Sequence, residues 1–228
     1  MTALRQALAI LVADARREAR TGEALLPMLV FALVVFVVAG FAFDLPALLA
    51  AQRRSLVPGI LWTAIAFAML VGQARHLLAD REEDRAAGLL CAPIDRAVLF
   101  AVKWFEGILL GAALELLLVP LAIVFFDLEL AGAWRGLALI LLACTAGLAA
   151  LGTLLGSVVA RLGRGEALLS ILVLPAAAPV LIAGVRTTAT LLAGQPLGAA
   201  APWPAVALGT AVLYAAAGAL LYEAVLME

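Results

Sequence analysis

Long stretches without a single charge dominate the chain and set its architecture. "LLPMLVFALVVFVVAGFAF", Leu25 to Phe43, is the clearest. A helix must offer about 20 mostly apolar residues to cross a hydrocarbon layer about 30 Å thick. Comparable runs follow at Ser55–Gln73, Phe105–Phe126, Gly136–Ala160, Ala167–Val185 and Trp203–Met227. Each run is continuous rather than alternating, and a backbone in lipid must satisfy its own hydrogen bonds, so the pattern predicts helices and not a barrel. The fold class is therefore all-α: a polytopic membrane protein with six transmembrane helices in one domain filling residues 1–228.

Before the first run the pattern changes. In residues 1–24, Leu4, Leu8, Leu11 and Ala15 fall on one helical face, with Arg5, Gln6, Asp14, Arg16 and Arg17 largely elsewhere. Charges interrupt any signal-peptide core. The segment reads as an amphipathic helix lying in the membrane interface. The opposite extreme is the loop between the second and third runs, about Ala74 to Lys103, which holds six consecutive charged residues, Asp80 to Arg85. Residues Arg186 to Pro202 form another polar connection, too short for a core of its own but long enough for a re-entrant or interfacial piece.

Composition agrees. Of the 228 residues, 66% are hydrophobic and 14% charged, far from the balance of a soluble domain. With a cytoplasmic N-terminus, eleven of the fifteen Lys and Arg fall on the inside and four (Arg53, Arg54, Arg135 and Arg186) on the outside. That bias places both termini in the cytoplasm, in a bacterial inner membrane if the chain is bacterial. No basic stripe suggests nucleic acid. No glycine-rich phosphate loop is present, so the chain does not bind ATP in that way, and no metalloprotease or haem-attachment motif occurs. Cys91 and Cys144 are too far apart for a metal or redox pair. The single histidine, His76, is a weak ligand candidate, and Ser55, Ser157 and Ser170 lack an evident catalytic partner. No catalytic or metal-binding residue is assigned.

Three features remain as candidates. Glu115 lies near the middle of the third run, where a charge costs on the order of 3 kcal/mol. It must face protein, a wet cavity or a partner, or be protonated. Two readings stay open: a substrate-path or subunit-contact residue, or a protonated acid bonded to a neighbouring helix. Glu106 and Glu223 lie close enough to run ends to reach the interface. Pro175 and Pro179 in the fifth run deprive the carbonyls of Ile171 and Pro175 of helical donors, predicting a kink or interruption that is either a gate or a static bend. "GILLG" at Gly107–Gly111 and "GTLLG" at Gly152–Gly156 permit close helix approach. Finally, the charged loop balances five basic against five acidic residues beside "GLLCAP". A balanced set suits protein docking better than a membrane surface. Leu89 and Leu90 would anchor, with Asp80, Arg81, Glu82, Glu83, Asp84 and Arg85 as the polar rim.

The chain resembles the haem exporter B subunit family of the cytochrome c maturation system over essentially its whole length. "PGILW" at Pro58–Trp62, "LLSILVLP" at Leu168–Pro175, Asp80, Pro93 and Lys103 carry the resemblance, with the span number and the loop after the second span. It departs from the family at Glu83, followed by Asp84 where a glycine is usual. The resemblance implies an ABC-2-type permease, like a type V exporter, that works with a separate ABC ATPase subunit. A haem-handling membrane subunit, a small single-span subunit and a periplasmic haem chaperone are the other partners implied, in addition to membrane lipid. Haem would be a substrate rather than a bound cofactor, ATP would act through the partner, and the charged loop would be the coupling helix that sits on the ATPase. Two readings from other classes remain: an ABC-2 exporter permease for a drug, lipid or polysaccharide, and a non-transporting scaffold of a membrane complex.

Overall fold

The computed structural model describes residues 3–44, 48–82, 96–128, 132–162 and 165–227. Seven α-helices run in chain order: α1 Ala3–Thr21, α2 Leu25–Ala42, α3 Ala50–Glu82, α4 Arg96–Phe126, α5 Trp134–Leu162, α6 Gly165–Leu192 and α7 Trp203–Met227. A short 3₁₀ turn, Leu197–Ala200, precedes α7. No strand occurs among the described residues. Helices α2 to α7 each contain a segment long and apolar enough to cross a membrane.

Helices α3 to α6 are longer than the hydropathy runs that predict them, whereas α2 and α7 match theirs to within a residue. Helix α3 continues through 74–82 and α4 begins at Arg96. Most of the supposed loop 74–103 is therefore helical extension, and the connection narrows to residues 83–95, outside the described residues. Helix α6 runs past Val185 and through Arg186 to Leu192. The physical reason is that helical backbone propagates through any residue that tolerates it, whereas an apolar run ends where hydrocarbon does.

The packing shows that consecutive long helices alternate in direction. Gly107 and Gly111 of α4 lie against Ala149 and Thr145 of α5 in reversed order. Phe36 of α2 meets Phe126 of α4 at 5.1 Å between ring centroids, and Phe31 meets Phe67 of α3. Helices α3 and α5 form the centre, with 67% and 72% of their spans buried; α2 and α7 are peripheral at 17% each. In lipid the hydrophobic effect gives little drive for helix association, so contact rests on close fit between small residues. Several glycines are used this way. A Cβ at Gly184 would stand 2.5 Å from the Trp62 ring, and one at Gly218 2.1 Å from Phe100. Trp62 is fully buried, and its indole Nε1–H donates to Thr188 Oγ1 at 3.0 Å. The "PGILW" motif thus ends in the side chain that locks α3 onto α6.

Helix α1 is attached at two points. Its Glu18 carboxylate accepts the backbone N–H groups of Ala24 and Leu25 at 3.1 and 2.7 Å. These are orphan donors at the start of α2, where a negative charge also complements the helix dipole. Asp14, one turn earlier, reaches Lys103 of α4 at 3.5 Å.

Candidate functional site

Helix α4 organises the charged interior. Glu106 and Glu115 are nine residues apart, which at 3.6 residues per turn is two and a half turns. They therefore face opposite sides of the helix. Glu115 points toward α5 and Glu106 toward α1.

On the α5 side, Gly107, Gly111 and Glu115 form one stripe at four-residue spacing. A Cβ on Gly107 would lie 3.0 Å from Ala149 Cβ, and one on Gly111 2.5 Å from Thr145 Cγ2. The two glycines bring α5 close enough for the Thr145 hydroxyl to donate to Glu115 Oε1. Both side chains are buried, Thr145 completely. Glu115 thus faces protein rather than lipid, and among the described residues no cation pairs with it. The "GILLG" motif is what permits this contact. In the "GTLLG" motif, Gly152 makes room for Gln73, whose amide donates to the Leu148 carbonyl at 3.3 Å.

On the α1 side, Lys103 Nζ lies 3.0 Å from Glu106 Oε2 and 3.5 Å from Asp14 Oδ2. Glu106 is only 9% exposed, covered by protein rather than by solvent. Its backbone sits more than two turns inside α4, and α1 lies across it. The i,i+3 spacing of Lys103 and Glu106 was legible in the sequence. Asp14, 89 residues from Lys103, was not.

The proline pair does not interrupt α6, which is helical from Gly165 to Leu192 through both Pro175 and Pro179. Each proline removes one backbone donor, and the helix continues past both. The Tyr214 hydroxyl donates to the Ala176 carbonyl at 2.6 Å, and Cys144 Sγ lies 3.5 Å from the Val180 carbonyl oxygen. These contacts tie α6 to α7 and α5 beside the prolines, while the carbonyls that lost their donors are those of Ile171 and Pro175.

Of the charged island, Asp80, Arg81 and Glu82 form the last residues of α3. Glu83, Asp84, Arg85, Leu89 and Leu90 lie outside the described residues, as do Cys91 and Pro93. Among the described residues no cluster of His, Cys, Asp and Glu could hold a metal ion.

Six apolar helices packed through small residues, with ionisable groups turned inward from one of them, define a polytopic α-helical membrane protein. The family model described as "CcmB protein" matches residues 5–222, from α1 into α7. A relative from Paracoccus denitrificans (strain Pd 1222), described as "Heme exporter protein B", is 31% identical over 215 residues, covering 93% of this chain and 97% of its own. The chain belongs to the CcmB family.

Proposed function

We propose that this chain is the membrane permease subunit of an ABC transporter complex that serves c-type cytochrome maturation. The observation that carries the reading is the family match over residues 5–222, which takes in α1, the charged connection and every span. The relative's description as a haem exporter supports haem as the cargo handled by the complex. The lack of a phosphate-binding loop supports a separate ATPase subunit as the source of ATP hydrolysis. Both termini and the connection between α3 and α4 face the cytoplasm of an inner membrane, and α1 lies in the interface. Exposed Leu8 and Val12 on α1, one turn apart, support that placement.

In this reading the island from Asp80 to Arg85, with Leu89 and Leu90, docks on the ATPase. A haem-handling membrane subunit, a small single-span subunit and a periplasmic haem chaperone complete the assembly. A sequence with one histidine is poorly equipped to ligate haem in transit. ATP hydrolysis therefore powers release of the haem-loaded chaperone, and this subunit passes the motion on through α3 and α4, the two helices that flank the docking connection.

The test is co-purification of the ATPase with a Leu89→Asp, Leu90→Asp variant at normal membrane abundance. Loss of the ATPase together with loss of mature c-type cytochromes is the expected result, because a few buried apolar anchors dominate such interfaces. Retention at the wild-type level refutes the docking assignment. Single cysteines at Asp84 and Gly194, in a background lacking Cys91 and Cys144, check the sidedness: the first should label from the cytoplasm and the second from outside.

A further inference from the structure

Two acids and one lysine meet where α1 crosses α4. Lys103 Nζ lies 3.0 Å from Glu106 Oε2 and 3.5 Å from Asp14 Oδ2. Glu106 and Asp14 are also in side-chain hydrogen-bond contact with each other. All are largely covered: the Lys103 and Asp14 side chains are 16% and 18% exposed, and that of Glu106 9%. Other charges are engaged elsewhere. Glu18 of α1 caps α2, and Arg17 pairs with Glu23. Among the described side chains α2 and α7 carry no charge, and those of α3 and α5, Arg53, Arg54 and Arg135, belong to the opposite ends of the spans.

Two acids in contact around one ammonium need a proton between them. An ionised carboxylate only accepts, so two of them cannot hydrogen-bond to each other. With both ionised, the group would hold a net negative charge away from water, and like charges this close oppose the second ionisation. Glu106 Oε1 points the same way. It is shut off from solvent and no amide, hydroxyl or ammonium donates to it, an arrangement that a fully charged carboxylate tolerates poorly. Lys103 lies nearer to Glu106 than to Asp14. The negative charge therefore belongs on Glu106 and the proton on Asp14.

We propose that protonated Asp14 donates to the Glu106 carboxylate and so clasps α1 onto α4, and that loss of this one proton releases α1. With the proton in place the three groups sum to zero charge. Without it Asp14 and Glu106 repel, and Asp14, on the helix outside the six spans, turns to water. The closed form binds one proton more than the open form, so closure weakens as pH rises. An ion triad with both acids charged has the opposite sign: protonation removes its attractions, so it tightens as pH rises from acid. Lys103 stands about two turns from Arg96, the first described residue of α4. The clasp therefore sits at the end of α4 that follows the charged connection.

Pulsed electron paramagnetic resonance on the full chain in lipid nanodiscs tests this. Nitroxides go on Leu8→Cys in α1 and Leu116→Cys in α4, both exposed positions, in a background lacking Cys91 and Cys144. The chain with native Asp14 and Glu106 should show one short distance at about pH 6 and a growing longer one toward about pH 9, the open-to-closed ratio rising by up to about tenfold per pH unit, the slope of a single proton. Asp14→Asn keeps a donor to Glu106 and cannot ionise, so it should hold the short distance across the range. Glu106→Gln should lose the slope as well. Asp127→Asn, just past the opposite end of α4, should keep it. A native distance that does not change with pH overturns the proposal, and so does one that shortens as pH rises. A slope that survives in Asp14→Asn also overturns it. Asp14 lies outside the spans, so that variant decides the matter even if Glu106→Gln fails to accumulate.

Discussion

Glu106 and Glu115 are the same residue type on the same helix, both buried, yet α4 presents them to different worlds. Glu115 is met by a hydroxyl from the neighbouring span, through a contact that two glycines make possible. Glu106 is met by a lysine one turn away and by an acid from α1, with one oxygen left over. The first arrangement needs no net charge. The second holds two carboxylates beside one ammonium and depends on a helix that lies outside the six spans. Burial alone therefore says little about what an intramembrane acid does; the partner decides. Glu115 has a neutral hydroxyl for a partner, whereas Glu106 belongs to a cluster of charged side chains.

The largest effect should come from Lys103→Met. Removing one member of a buried pair leaves an uncompensated charge, which typically costs about 3–5 kcal/mol. Unfolding of the purified chain in mild detergent should show a loss of that order. The triple variant Lys103→Met, Glu106→Leu, Asp14→Leu should recover a large part of it, since neither carboxylate partner of Lys103 then remains. A single variant as stable as wild type would mean that the α1-side cluster is as undemanding as the α5-side contact, and the comparison would fail.

Gly111→Ala probes the other side. Its new Cβ would stand 2.5 Å from the Thr145 methyl and push α5 away from α4. Overpacking of this kind costs about 1–3 kcal/mol. Gly209→Ala, where nothing lies within 4 Å, should be neutral in the same assay. Equal behaviour of the two would show that the close approach of α4 and α5 is not required.

A smaller change is expected for Glu18→Ala, which removes the acceptor for two N–H groups at the start of α2. A lost cap is worth about 1 kcal/mol. The informative readout is proteolysis within α1, which should become faster while the six spans stay intact. Unchanged cleavage would mean that the Asp14–Lys103 contact alone holds α1.

The smallest effect is expected at Glu115. Gln keeps an acceptor for the Thr145 hydroxyl, so Glu115→Gln should change stability by less than about 0.5 kcal/mol, and Leu should cost about 1 kcal/mol for the lost hydrogen bond. Assembly of the complex and yield of c-type cytochrome check the same variants. A severe assembly defect in Glu115→Gln would show that the acid carries a charge paired with a partner subunit, reversing the contrast between the two glutamates.

Much of this was legible before any coordinates. The six spans follow from apolar run length, and the amphipathic α1 from the spacing of its leucines. Glu115 stood out because a charge at that depth demands an explanation. Glycines four apart in "GILLG" indicated close approach without saying to what. Other features are not legible there, for an identifiable reason. Hydropathy measures where hydrocarbon would end, and α3, α4 and α6 continue beyond that limit. Arg186, 74–82 and 96–103 all lie beyond the apolar runs, and all are helical. The proline pair predicts a kink or an interruption from the missing donors, and the helix runs through both prolines without interruption.

What the sequence determined by itself is therefore the membrane class, the number of spans and the positions of the residues that could not be left facing lipid. Each is a property of local composition, since a stretch of chain is either apolar enough for a bilayer or it is not. Only the tertiary structure decided the partners. Thr145 meets Glu115 across 30 residues, and Asp14 meets Lys103 across 89. Which partner each carboxylate meets depends on how helices distant in sequence cross. That crossing is set by the fit of glycine against side chain, a relation between two surfaces that neither segment carries alone.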